Sequence, residues 1–104
     1  MVEHVSKDSF KEQVIESGKP VIVDFYADWC GPCKRLAPRF AELSEEVEGV
    51  SFFKVNVEDE ADLAAEYGVQ SIPTLILFKG GEPVDRVMGL MPKDELQKVI
   101  EQYA

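Results

Sequence analysis

Apolar and polar positions along this chain recur with two periods, and each period marks an element. Val2 to Val5 reads as a short first strand. From Ser6 to Ser17 the spacing of Phe10, Val14 and Ile15 predicts a helix with one apolar face, stopped by Gly18. Lys19 to Ala27 reads as a strand that is apolar on both faces except at Asp24, which predicts a central place in a sheet. Gly31 to about Val47 is a helix with Leu36, Phe40, Leu43 and Val47 on one face. Pro38 falls inside it and is expected to kink it at a cost of ~3 kcal/mol.

Val50 to Val57 is the next strand. Asp59 is the expected N-cap of a short helix over Glu60 to Tyr67, ended by Gly68. Thr74 to Gly89 reads as a hairpin turning at Gly80-Gly81, and Pro83 predicts that its second arm is an edge strand. The last helix is expected to begin near Pro92 and run to the C-terminus with Leu96, Val99 and Ile100 inward. Parallel strands joined by helices and closed by a hairpin make a three-layer α/β domain.

The 104 residues suggest one domain, residues 1–104, with the apolar and charged fractions of an ordinary soluble protein. Eleven basic and 20 acidic residues give a net charge of −9, which argues against nucleic acid as a partner. No run approaches the ~18 apolar residues of a membrane span. Met1 to Phe10 lack the basic start and apolar block of a signal peptide, so the expected location is cytoplasmic.

Only two cysteines occur, Cys30 and Cys33, in "WCGPC". The pair ends a loop after a strand and opens a helix. A thiolate at Cys30 would meet the unpaired N–H groups and positive dipole end of that helix, which lowers its pKa and raises its reactivity. Cys33 lies about one turn deeper on the same face, so the two sulfurs can meet. Three other readings compete. A structural staple closing so short a loop would constrain the unfolded chain by only roughly 2 kcal/mol. Structural zinc needs four ligands, and the chain adds only His4. Inert core thiols fit poorly with the flanking Trp, Gly and Pro.

A cysteine pair at this spacing beside a βαβ pattern is a redox signature. "DFYADWCGPCKRLAP", residues 24 to 38, resembles the active-site segment of the thioredoxin family, and "SIPTLILFKGGEPVDRVMG" resembles that family's second block. The resemblance covers essentially the whole chain. It implies the thioredoxin fold, a central mixed five-stranded sheet flanked by four helices. It implies a protein-disulfide reductase and electron donor in cell redox homeostasis, with no cofactor beyond the redox-active Cys30–Cys33 pair and no metal. Partners would be disulfide-containing proteins and a thioredoxin reductase, with no membrane association and a monomeric chain.

By position, the resemblance makes Cys30 the attacking thiol and Cys33 the resolving thiol. Pro73 matches the family's cis-proline, Asp24 its buried acid and Lys54 the neighbouring lysine. Trp29, Gly31, Pro32, Ile72 and Gly89 match the apolar rim where substrates dock, with Leu90 adding to it. Tyr26, Arg35, Arg39 and Met91 depart from the family pattern, Met91 as a poor N-cap.

Cys33, shielded one turn into the helix, needs a base, and Asp24 on the strand that feeds the helix is the candidate. An Asp that merely bonds to loop backbone is the alternative. Lys54 would tune its charge, or simply reach solvent. Lys34, Arg35 and Arg39 form a basic cluster, readable as helix solubility or as a preference for acidic partners. A thioredoxin-fold binding or chaperone-like module is the competing function, and a dedicated oxidant or isomerase would use the same pair.

Overall fold

Five strands form a single sheet in the computed structural model, which describes all residues, 1–104. The strands are β1 (Val2–His4), β2 (Val21–Tyr26), β3 (Ser51–Asn56), β4 (Thr74–Lys79) and β5 (Glu82–Met88), in spatial order β1-β3-β2-β4-β5. β1, β3 and β2 are parallel; β4 runs antiparallel to β2, and β5 antiparallel to β4. The helices are α1 (Lys7–Phe10), α2 (Gly31–Glu46), α3 (Ala61–Glu66) and α4 (Lys93–Glu101). β2 is central and β5 is an edge strand, as the apolar run and Pro83 predict.

Alternate side chains of β2 feed two cores. Val21, Val23 and Phe25 join Phe10, Val14, Phe53, Leu63 and Phe78 on the α1 and α3 side. Ile22 joins Leu36, Phe40, Leu43, Leu75, Leu96 and Ile100 on the α2 and α4 side. The period of two therefore puts Asp24 on the α2 side, in a position that Ile22 fills one pleat earlier. A third, small cluster holds Ala27, Cys30 and Cys33, with Tyr26, Val57 and Ile72 packed against it.

Several boundaries differ from the sequence expectation. The Ser6–Ser17 helix is divided: a capping box between Ser6 and Ser9 opens α1, and Lys11–Ile15 continues as a π-helical turn closed by Glu16 N–H donating to the Lys11 carbonyl at 2.9 Å. In the widened turn Phe10 and Val14 are buried and Ile15 packs on them, so the apolar spacing is satisfied without α geometry. Asp59 is not the cap of α3. Glu60 holds the N-cap position without a side-chain bond, and Asn56 Oδ1 accepts instead from the N–H groups of Glu58 and Asp59 at 2.9 and 3.4 Å. Pro92 is the N-cap of α4 rather than a first-turn residue, again with no side-chain cap.

α2 continues across Pro38. The ring removes the N–H that would reach the Lys34 carbonyl, and burial of Leu36, Phe40 and Leu43 along one face offsets that loss. Lys79 pairs with Glu82 across a two-residue turn in which Gly80 and Gly81 both take positive φ, 63° and 83°. This hairpin carries Gly89 back to Pro73, whose carbonyl accepts the Gly89 N–H at 2.9 Å.

Candidate active site

Cys30 is the N-cap of α2, with extended backbone at φ −88°, ψ 114°. The Gly31-Pro32 pair then starts the helix, where the missing proline N–H costs nothing. Cys33 is thereby placed in the first turn, and its backbone N–H donates to Cys30 Sγ at 3.2 Å. The two sulfurs form a disulfide, with Cα atoms 5.2 Å apart. Cys30 Sγ also lies 3.8 Å from the carbonyl oxygen of Ile72, whose peptide bond to Pro73 is cis. Once the bond is reduced, a negative charge on Cys30 has a backbone donor and the helix dipole to stabilise it. Both cysteines are buried, at 5% and 4% exposure, but the backbone N–H is received by Cys30 Sγ and not by Cys33 Sγ.

Asp24 is 3% exposed, and its Oδ1 has no hydrogen-bond partner. Burial pushes its carboxyl up to about 7, against the opposing attraction of Lys54. Asp24, Cys33, Lys54 and Tyr26 line one cavity of about 190 Å³. A smaller one of about 50 Å³ reaches Asp24 and Lys54 from the side of Val2 and Phe40. The Lys54 ammonium sits 5.3 Å from the Tyr26 ring centroid, a cation–π contact. Burial, and next the charge of Asp28, push the Tyr26 phenol up. A carboxyl that titrates near neutrality beside a shielded thiol can accept that thiol's proton.

Around the disulfide, Gly31 and Pro32 are exposed, Ile72 and Gly89 are half-buried and Pro73 is buried. Trp29 is 67% exposed and belongs to none of the three apolar clusters. The structure thus joins Cys30, Cys33, Ile72, Pro73 and Gly89 through named contacts, and joins Asp24 and Lys54 to Cys33 through the shared cavity. Trp29 is tied to them only as the neighbour of Cys30. Sequence reasoning missed Met88, 64% exposed at the end of β5 beside Gly89. Its strand position opposite Thr74 carried no signal of exposure. Two departures from the family pattern meet: Arg39 Nη1 donates to the Met91 carbonyl at 2.6 Å. Nowhere do three or more His, Cys, Asp or Glu side chains converge as a metal would require.

The sequence profile of the Thioredoxin family matches residues 1–102. The chain is 49% identical over 100 residues to a thioredoxin of Synechocystis sp., covering 95% of this chain and 94% of that one. It is 47% identical over 103 residues to a thioredoxin of Pyropia yezoensis, covering 98% and 96%. Among solved structures, a point-mutant thioredoxin from Halobacterium salinarum superposes with a TM-score of 0.91 at 39% identity, covering 98% of this chain and 89% of that one. The thioredoxin of Malassezia sympodialis gives 0.89 at 38%, covering 99% and 90%. With the match running from Met1 to Gln102, the chain belongs to the thioredoxin family, and it is a thiol–disulfide oxidoreductase with protein-disulfide reductase activity.

Proposed function

We propose that Cys30 is the nucleophile, Cys33 the resolving thiol and Asp24 the base in this reduction. The Cys30 thiolate attacks one sulfur of a substrate disulfide. A mixed disulfide forms, and the other substrate sulfur leaves as a thiolate. Asp24 takes the proton of Cys33. The Cys33 thiolate then attacks Cys30, expels the second substrate thiolate and closes the Cys30–Cys33 bond. Two electrons pass from the dithiol to the substrate, and a reductase partner returns them. Lys54 tunes the charge on Asp24.

Trp29, Gly31, Pro32, Ile72, Pro73 and Gly89 form the docking rim in this reading. The proline holds Ile72 extended, so its backbone can bond to an extended substrate segment as in strand addition. The chain acts as one domain and as a monomeric electron donor in cytoplasmic redox homeostasis. The cysteine usage suits a reducing compartment, because both thiols serve the redox pair. No helix is long and apolar enough to cross a membrane.

One observation carries the assignment of roles: the Cys33 N–H points at the Cys30 sulfur from a helix N-terminus, so charge is stabilised on Cys30. Insulin reduction by dithiothreitol, followed by turbidity, tests the whole reading. Acceleration by catalytic amounts of the protein is expected. Absence of acceleration would leave a thioredoxin-fold binding module.

A further inference from the structure

The charges on α2 run against its dipole. A helix favours acids in its first turn and bases in its last. α2 has no acid in its first turn and no base in its last. Lys34 and Arg35 lie in its N-terminal half and Arg39 at its middle, while Glu42, Glu45 and Glu46 lie toward its C-terminus. The acidic end is compensated within the chain. Lys93 pairs with Glu42 and Glu46 at 3.6 and 2.7 Å, and the N-terminal amine pairs with Glu45 at 3.4 Å. The basic end is not. None of the five ion pairs involves Lys34, Arg35 or Arg39, although the chain holds 20 acidic residues.

The uncompensated end lies beside the disulfide. Arg35 is exposed and follows Gly31 and Pro32 by four and three residues, so it shares their helix face. Arg39 continues that face one turn on and bonds to the Met91 carbonyl, next to exposed Leu90. A basic stripe therefore runs from the Gly-Pro turn between the cysteines along the flank of the apolar rim. Solubility does not account for it, because a net charge of −9 already supplies that.

We propose that the Arg35 and Arg39 stripe is a docking surface for acidic residues flanking the disulfide of a protein substrate; Lys34 turns instead toward the cavity of Asp24 and Asp28. The proposal rests on the reading of Cys30 and the rim given above. The cations complement carboxylates that the chain itself does not provide, and the apolar rim beside them takes the segment that carries the disulfide. Arg35 can hold a carboxylate in bidentate fashion. The stripe sets a preference opposite to that of the molecule's overall charge.

The test uses the full, reduced chain and three synthetic peptides that share one disulfide but carry acidic, neutral or basic flanks. Second-order rates of thiol–disulfide exchange are measured at low and high ionic strength. The acidic peptide is expected to react about tenfold faster than the basic one at low ionic strength, with the difference collapsing at high ionic strength. Arg35→Gln narrows the acidic-to-neutral ratio by about threefold. Lys98→Gln, an equal charge change on the exposed face of α4, leaves that ratio in place. A preference for the basic peptide, equal rates for all three, or equal effects of the two variants overturns the proposal. Normal reduction of the neutral peptide in those cases leaves the Cys30 reading standing. Failure to reduce any of the three removes both.

Discussion

Asp24 and Lys54 are register partners on adjacent parallel strands, yet they form no ion pair: the Lys54 ammonium lies over the Tyr26 ring, and Asp24 Oδ1 stays without a hydrogen-bond partner. A direct pair would hold the carboxylate ionised and weaken it as a base. Kept apart, the two leave Asp24 able to bind and release a proton near neutral pH.

Asp24→Asn is expected to stabilise the protein at pH 8 and to slow resolution of the mixed disulfide. The folded carboxyl titrates near 7 and the unfolded one near 3.8. Between those values the folded state binds the extra proton, so stability is full below the unfolded value and falls as pH rises through the folded one. The loss at pH 8 is on the order of 2–4 kcal/mol, and the variant avoids it, less the cost of burying an amide. Urea denaturation at pH 5 and pH 8 checks this. A variant that shows the parent's pH slope would remove Asp24 as its source.

Removing the Lys54 charge in Lys54→Met takes away the attraction that opposes burial, so the Asp24 midpoint moves further up. Tyr26→Leu acts in the opposite direction, because it frees the ammonium to approach the carboxylate. Carboxyl chemical shifts followed by NMR across the pH range report both. Shifts of the same sign in the two variants would contradict the role given to the Tyr26 ring.

Cys33→Ser should accumulate substrates as mixed disulfides on Cys30, since nothing remains to resolve them, whereas Cys30→Ser should accumulate almost none. Non-reducing electrophoresis after mixing with an excess of a disulfide protein counts the adducts. Equal trapping by both variants would undo the assignment of roles.

At the hairpin, Gly81→Ala should cost about 1–3 kcal/mol and Gly80→Ala less. Both glycines take positive φ, but a Cβ on Gly81 would lie 2.9 Å from the Ile15 carbonyl oxygen, while one on Gly80 meets nothing within 4 Å. Thermal denaturation of the two variants compares them directly. Equal losses would mean that backbone conformation alone sets the cost.

The elements that rest on packing periodicity were legible in the sequence. The β2 run of apolar residues on both faces could only be a central strand, and the 36, 40, 43 spacing could only bury one side of α2. Element ends were less legible, because side chains distant in local pattern decide them. Asn56 reads as a strand residue, yet its carboxamide organises the turn into α3 in place of Asp59. The π turn at Lys11–Ile15 has the same apolar spacing as an α-helix and differs only in its hydrogen bonds. For the site, spacing located Cys30 and Cys33, and an acid in an apolar strand marked Asp24. The meeting of Arg39 with Met91, and the exposure of Met88, depend on loops and edges that no local pattern describes.

The two sulfurs belong to neither of the large apolar clusters but to a small one of three buried residues at the end of the sheet. Making or breaking their bond therefore changes few of the contacts that hold the sheet to its helices. The reactive corner meets the α1 and α3 side of the core through Val57, which packs against both clusters, so most of the scaffold's apolar contacts lie outside the residues whose covalent bond changes. A partner would then sense the redox state at the corner itself, through the thiols and their immediate rim, and not through a rearrangement of the fold.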